Sequence, residues 1–307
     1  MPTFLHRSRL SLLVGIVCFG HAKISGADVT PAPFHHVHLN VTDPKTTQQF
    51  FERFFGAVPI RYRARLPALF TERSFIVLNR VDSSPRTHHK TCLWHIGWSG
   101  VDGPSEFAWR TKAGITVHTP LRALDDDHYM YFSGPEEELV EVYTGNRNHR
   151  FEHIHLLATD VNVTTRWFVD HLGLRAARAF VPKPDPETDV NTLRGIWMNS
   201  IRVDNLNLVI FGRPPRDQAP FWLPAPLPED FEPTKGSAID HIAFSYRRIE
   251  PQYDRFKASG VTIHRPLQVE KAAGHRSFFV EAPDRLLVEI VEAKPIPEGL
   301  WEASPSP

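Results

Sequence analysis

The chain has 307 residues, 35 basic and 35 acidic side chains, a formal net charge of zero and 41% hydrophobic residues. That composition excludes a disordered polymer and leaves room for two ordinary domains. Balanced charge without a basic run excludes a surface built to neutralise a phosphate backbone, so nucleic acid is not an expected partner.

Residues 1–27 read as an export signal. Arg7 and Arg9 precede an apolar run from Leu10 to Phe19, and Ser25 and Ala27 offer small residues for cleavage before Asp28. The run is short for a membrane span, so the expectation is a periplasmic or secreted protein with no membrane attachment after cleavage. Val17 before Cys18 argues against lipidation, and the mature chain keeps only Cys92, so no internal disulfide is expected.

Four stretches that open with histidine then alternate as strands: His36 to Val41, His95 to Ser99, His153 to Ala158 and His241 to Ser245. Asp43-Pro44 starts a helix with Phe50, Phe51, Phe54 and Phe55 at helical spacing, ended by Gly56. Asp160 precedes a similar helix carrying Trp167, Phe168, His171 and Leu172 and closed by Gly173. Weaker helices are predicted over Ser105 to Ala113 and Glu250 to Ser259, followed by the β-rich stretches 115–118 and 261–264. Two further strands, Leu139 to Tyr143 and Leu287 to Val291, each carry a glutamate between β-branched residues. The chain is therefore an α+β protein of four βαβββ modules. Histidines and a glutamate on separate strands, twice over, suggest sites of the 2-His-1-carboxylate kind, with positions left open for substrate.

The stretches from His36 to Ala57 and from His153 to Leu174 carry a pattern of strand histidine, capping aspartate, helical aromatics and Leu-Gly or Phe-Gly closure. It resembles that of the vicinal oxygen chelate superfamily, which includes glyoxalase I, the fosfomycin and bleomycin resistance proteins and the type I extradiol dioxygenases. The resemblance implies modules paired into cup-shaped curved sheets, in the tandem arrangement of the dioxygenases. The first domain would be 34–145 (modules one and two) and the second 151–293 (modules three and four), with a Pro-rich insertion at 214–233 and a tail at 294–307.

Carried over residue by residue, the resemblance implies His36, His95 and Glu141 as metal ligands of the first cup and His153, His241 and Glu289 as those of the second. The offsets from second histidine to glutamate are 46 (141 minus 95) and 48 (289 minus 241), as expected of one shared plan. His38 and His155 lie two residues beyond proposed ligands and so should share their face as acid-base or substrate-orienting groups. His35 should point away, to solvent or packing. Glyoxalase I uses a fourth, acidic ligand, whereas the strands near Phe75 to Arg80 and Leu206 to Phe211 contain only Asn79 and Asn207 as weak substitutes. Three ligands suit iron(II) or manganese(II), with zinc(II) as a further option; export weighs against iron(II), which oxidises readily.

In ring-cleaving relatives a tyrosine ten residues before the glutamate binds substrate oxygens. Here that place holds Tyr131 in one case and Phe279 in the other, and His275 is the proton-transfer candidate where the hydroxyl is missing. His128 lies near Tyr131. The acidic runs 125–127 and 136–138 read as solvated turns. The expected function is extradiol-dioxygenase-like, on a small substrate that chelates the metal through adjacent oxygens. The alternatives are a glyoxalase-like lyase or isomerase and a non-catalytic binding protein of the bleomycin-resistance type. A homo-oligomer is left open.

Overall fold

The computed structural model describes residues 29–85, 90–124, 126–183, 196–204, 206–213 and 230–293. The expected signal and cleavage point, Asp125, most of the Pro-rich insertion and the tail lie outside the described residues.

Each module has the same order of elements. Module one contains β1 (Phe34–Val41), α1 (Pro44–Phe55), β2 (Val58–Tyr62), β3 (Leu66–Phe70) and β4 (Phe75–Arg80). Module two contains β5 (Leu93–Ser99), α2 (Gly103–Lys112), β6 (Val117–Leu124), β7 (Asp127–Ser133) and β8 (Leu139–Tyr143). Module three contains β9 (Arg150–Ala158), α3 (Val161–Leu172), β10 (Arg175–Ala176), β11 (Met198–Val203) and β12 (Leu206–Gly212). Module four contains β13 (Ile239–Tyr246), α4 (Glu250–Ala258), β14 (Ile263–Glu270), β15 (His275–Ala282) and β16 (Leu286–Glu292).

The two strong helices begin and end where their chemistry dictates. Asp43 accepts from the backbone N–H of Lys45, and Asp160 from those of Asn162 and Val163. Gly56 and Gly173 close these helices at φ 68° and 67°, where a side chain would be strained. α2 has its own aspartate cap, Asp102, whereas α4 starts from Ile249 with no side-chain cap.

The strands form two eight-stranded sheets, ordered β14-β15-β16-β13-β1-β4-β3-β2 and β10-β11-β12-β9-β5-β8-β7-β6. The cups are therefore not built from consecutive modules. Modules one and four share the first sheet, the outer-module cup, and modules two and three share the second, the inner-module cup. The expected cups 34–145 and 151–293 are corrected on this point. Connection length supplies the reason. Only residues 144–149 join β8 to β9, which keeps modules two and three in one sheet, whereas 81–92 and 213–238 can carry the chain across to the other.

Consecutive modules still touch, through helices and turns. Phe51 of α1 stacks on Trp98 of β5 with ring centres 5.5 Å apart, and Phe168 of α3 lies 6.2 Å from Phe244 of β13. These aromatics belong to one buried apolar cluster that joins both sheets. At the turns, the backbone N–H of Thr42 donates to Glu136 at 2.6 Å, and that of Thr159 donates to Asp284 at 3.0 Å. The 136–138 run is thus not a solvated turn: Glu136 is buried by its link to Thr42, and Glu138 is fully buried, accepting from the N–H of Glu136.

Candidate metal centres

The central strands of each sheet bring the histidines together. In the inner-module cup β5 lies between β9 and β8, so that Gly97 pairs with His153 on one side and with Glu141 on the other. In the outer-module cup β13 lies between β1 and β16, and Ala243 pairs with His36 and with Glu289. Each cup thus has a cross-strand row of histidine, small residue and glutamate. The second histidine, His95 or His241, sits two residues earlier on the central strand and shares its face. The small middle residue leaves room above the sheet. A Cβ at Gly97 would fall 2.1 Å from the His153 ring.

All six expected ligands are therefore at such rows, but in different sets. His95, His153 and Glu141 meet in one cup, and His36, His241 and Glu289 in the other. Glu141 Oε2 is 2.7 Å from His95 Nε2 and 2.9 Å from His153 Nε2. Glu289 Oε2 is 3.3 Å from His36 Nε2 and 3.4 Å from His241 Nε2. His155 and His38 do face inward as expected. His155 Nδ1 is 3.2 Å from His95 Nε2, and ligand atoms of His38, His36 and His241 all lie within 4.8 Å of one another.

Residues that the sequence reading passed over hold these histidines in place. Glu152 Oε2 is 2.8 Å from His153 Nδ1, and Asp240 Oδ1 is 2.6 Å from His241 Nδ1. Each carboxylate accepts the hydrogen bond from Nδ1–H and turns Nε2 toward the glutamate, the usual way a ligating imidazole is oriented. The signal was present in the chain: an acidic residue directly precedes the histidine in modules three and four. Asn207 donates to Glu152, while Asn79 donates to Asn40, which donates in turn to Asp240. Both asparagines thus bond to the groups that support the site.

Tyr131 lies directly across from Glu141, and Phe279 takes the same place opposite Glu289. Tyr131 accordingly belongs with His95, His153 and Glu141, not with His36. His275 reaches Glu289 Oε1 at 3.2 Å, and Arg265 Nη2 lies 3.6 Å from the same oxygen. His128 does not enter the cup; its ring lies against Gly103 at the start of α2. His35, expected at solvent or in packing, is buried and bonds to His36, Nδ1 to Nδ1, at 2.7 Å.

Charge at the centres follows from burial and pairing. Burial pushes His153 down, but Glu141 and Glu152 outweigh it and raise its pKa to about 10. His241 is raised to about 9 in the same way, by Asp240 and Glu289. Burial depresses His36 and His95 to about 4 and His38 to about 3, and holds His155 far below its ordinary value. Against their own burial, Glu141 and Glu289 are held well below the usual carboxylate range by the histidines around them. Each cup therefore presents a carboxylate anion among neutral and protonated imidazoles.

The donors fit a divalent ion. His36 Nε2 and His241 Nε2 are buried and aimed at Glu289, at ion-pair distance but outside hydrogen-bond geometry. An ion among the three atoms would give each buried nitrogen the partner it otherwise lacks.

Fold and site together define a tandem protein of four βαβββ modules with two internal histidine–glutamate centres. Residues 150–290 match the family model for the Glyoxalase/Bleomycin resistance protein/Dioxygenase superfamily. Among solved structures, glyoxalase I from Zea mays is similar with a TM-score of 0.64 and 13% identity over 85% of this chain and 92% of that one. An assigned dioxygenase from Bacillus subtilis gives 0.59 and 13%, over 86% of each chain. At these identities the likeness is one of fold. No curated protein sequence matches this one. The match to the glyoxalase/bleomycin resistance protein/dioxygenase superfamily thus falls on modules three and four, and modules one and two repeat the same βαβββ plan in a two-sheet tandem fold.

Proposed function

We propose that the protein is a metal-dependent enzyme whose cups each bind a divalent ion through two histidines and a glutamate. Its substrate is a small molecule that presents two adjacent oxygens to the ion. The observation that carries this is the repeated row of His153, Gly97 and Glu141 and of His36, Ala243 and Glu289, each with a second histidine alongside. A bound ion would act as a Lewis acid on the substrate oxygens and leave positions open beyond the three protein ligands.

The inner-module cup has the residues for ring-cleaving dioxygenation. Burial and the Glu141 charge push the Tyr131 hydroxyl well up, so it stays protonated and can donate to a substrate oxygen. Burial holds His155 neutral, and its buried Nε2 has no hydrogen-bond partner, which leaves it free to orient a substrate oxygen by a hydrogen bond. Iron(II) or manganese(II) matches this donor set, and zinc(II) is the further option. Export, read from residues 1–27, is part of the same proposal.

A second reading, a glyoxalase-like lyase or isomerase, is favoured by the module pairing, which departs from the consecutive pairs expected of an extradiol dioxygenase. Metal analysis of the purified chain, followed by an oxygen electrode with catechols, tests both. Two ions per chain with oxygen uptake support dioxygenation. Bound ions without uptake, but with isomerisation of an α-hydroxy thioether adduct, support the second reading. Small-molecule binding by a chain that takes up no ion would remove the basis for either.

A further inference from the structure

Around the outer-module centre, buried side chains from modules one and four form a chain of hydrogen bonds. His36 Nδ1 meets His35 Nδ1 at 2.7 Å, His35 Nε2 meets the Tyr62 hydroxyl at 3.4 Å, the hydroxyl meets His275 Nδ1 at 3.2 Å, and His275 Nε2 meets Glu289 Oε1 at 3.2 Å. It runs from one proposed ligand to another through three residues that are not ligands.

With one proton on each imidazole, the donors and acceptors along this chain follow by counting protons. Glu289 is an anion and can only accept, so His275 Nε2 carries a proton and donates it. With a single proton on the ring, the other nitrogen of His275 accepts, and the Tyr62 hydroxyl is its donor. Tyr62 has one proton, so toward His35 it must accept, which places a proton on His35 Nε2. His35 Nδ1 is then an acceptor and His36 Nδ1 the donor. One result follows at the end: His36 Nε2 is left with a bare lone pair, directed at Glu289 Oε2.

We propose that His35, Tyr62 and His275 are positioning residues that set the tautomer of His36 and hold Glu289 by Oε1, so that both ligands face the ion with free lone pairs. This rests on the metal reading above and deepens it for one centre. Tyr62 ends β2 and His275 begins β15, two strands close to opposite ends of the same sheet. The turn that follows Tyr62 grips the turn before His275: Arg63 donates to Gly274 O at 2.5 Å and Arg65 to Lys271 O at 2.9 Å. The ends of the sheet thus meet and bring the hydroxyl to the imidazole. The inner-module centre is built differently, since His95 Nδ1 is buried without a hydrogen-bond partner.

The test uses the full chain in a Glu141→Ala background, where only the outer-module centre is intact. Zinc(II) affinity is measured by chelator competition before and after adding Tyr62→Phe or His275→Gln. Each substitution should weaken binding about 10- to 100-fold, the range for removing a partner of a metal ligand. An affinity within twofold of the background would overturn the inference while leaving the metal reading intact. If Glu141→Ala and the unsubstituted chain both take up no ion, the metal reading itself falls. A second measurement does not need the ion. Nitrogen NMR of histidine-labelled, metal-free protein should show His36 protonated at Nδ1, and a mixture of tautomers after Tyr62→Phe. A His36 proton found on Nε2 in the unsubstituted chain overturns the proposed direction.

Discussion

Gly97 lies directly across the sheet from His153, and a Cβ placed on it would fall 2.1 Å from the His153 ring. The gap over this glycine is where His153 and Glu141 come together. Gly97→Ala should therefore displace His153 and abolish ion binding at the inner-module centre while sparing the other. Metal analysis should fall from two ions per chain to one. Retention of two would show that the ring can move aside without loss of the site.

Pairs of substitutions separate the observed pairing of modules from the consecutive pairing. His95 and His153 share a centre, so His95→Ala with His153→Ala should leave one ion bound. His36 and His95 belong to different centres, so His36→Ala with His95→Ala should leave none. Consecutive pairing requires the reverse result in both cases, and metal stoichiometry decides between them.

Tyr131 faces Glu141 across β7 and β8, where Phe279 faces Glu289 in the other cup. Loss of one hydrogen bond to an ionised substrate oxygen costs roughly 1.5 to 3 kcal/mol. Tyr131→Phe should then lower kcat/KM by about one to two orders of magnitude, while Phe279→Tyr should not rescue it. Full activity of Tyr131→Phe, with loss of activity in His241→Ala, would move turnover to the outer-module centre.

Glu138 gives a stability prediction away from the centres. Burial, the largest influence, raises its pKa from 4.5 to about 7. The folded state thus binds this proton more tightly than the unfolded chain does. The contribution to stability is complete below about pH 4.5, declines as pH rises to about 7, and is level above that. Glu138→Gln should remove the decline and stabilise the protein at pH 8 by up to about 3 kcal/mol. Chemical denaturation of both chains at pH 5 and pH 8 checks it. An unchanged difference between the two pH values would overturn the assignment to Glu138.

The chain itself determined the modules and the identity of the central residues. Capping aspartates and closing glycines mark α1 and α3, strand alternation marks the histidine strands, and six residues at corresponding places in the repeat all reach the two centres. These features are local, and local patterns are legible because helix and strand periods are imposed within a few residues. Which modules pair was not legible. The four histidine strands are alternating apolar segments of similar chemistry, so nothing in their pattern says that β5 joins β9 and β1 joins β13; the short 144–149 connection and the packing of Phe51 and Phe168 across the sheets decide it. The same limit hid Tyr62, which reaches His275 from 213 residues away only because the ends of a curved sheet meet. Sequence spacing carries no information about such a contact, since it depends on the curvature of eight strands together.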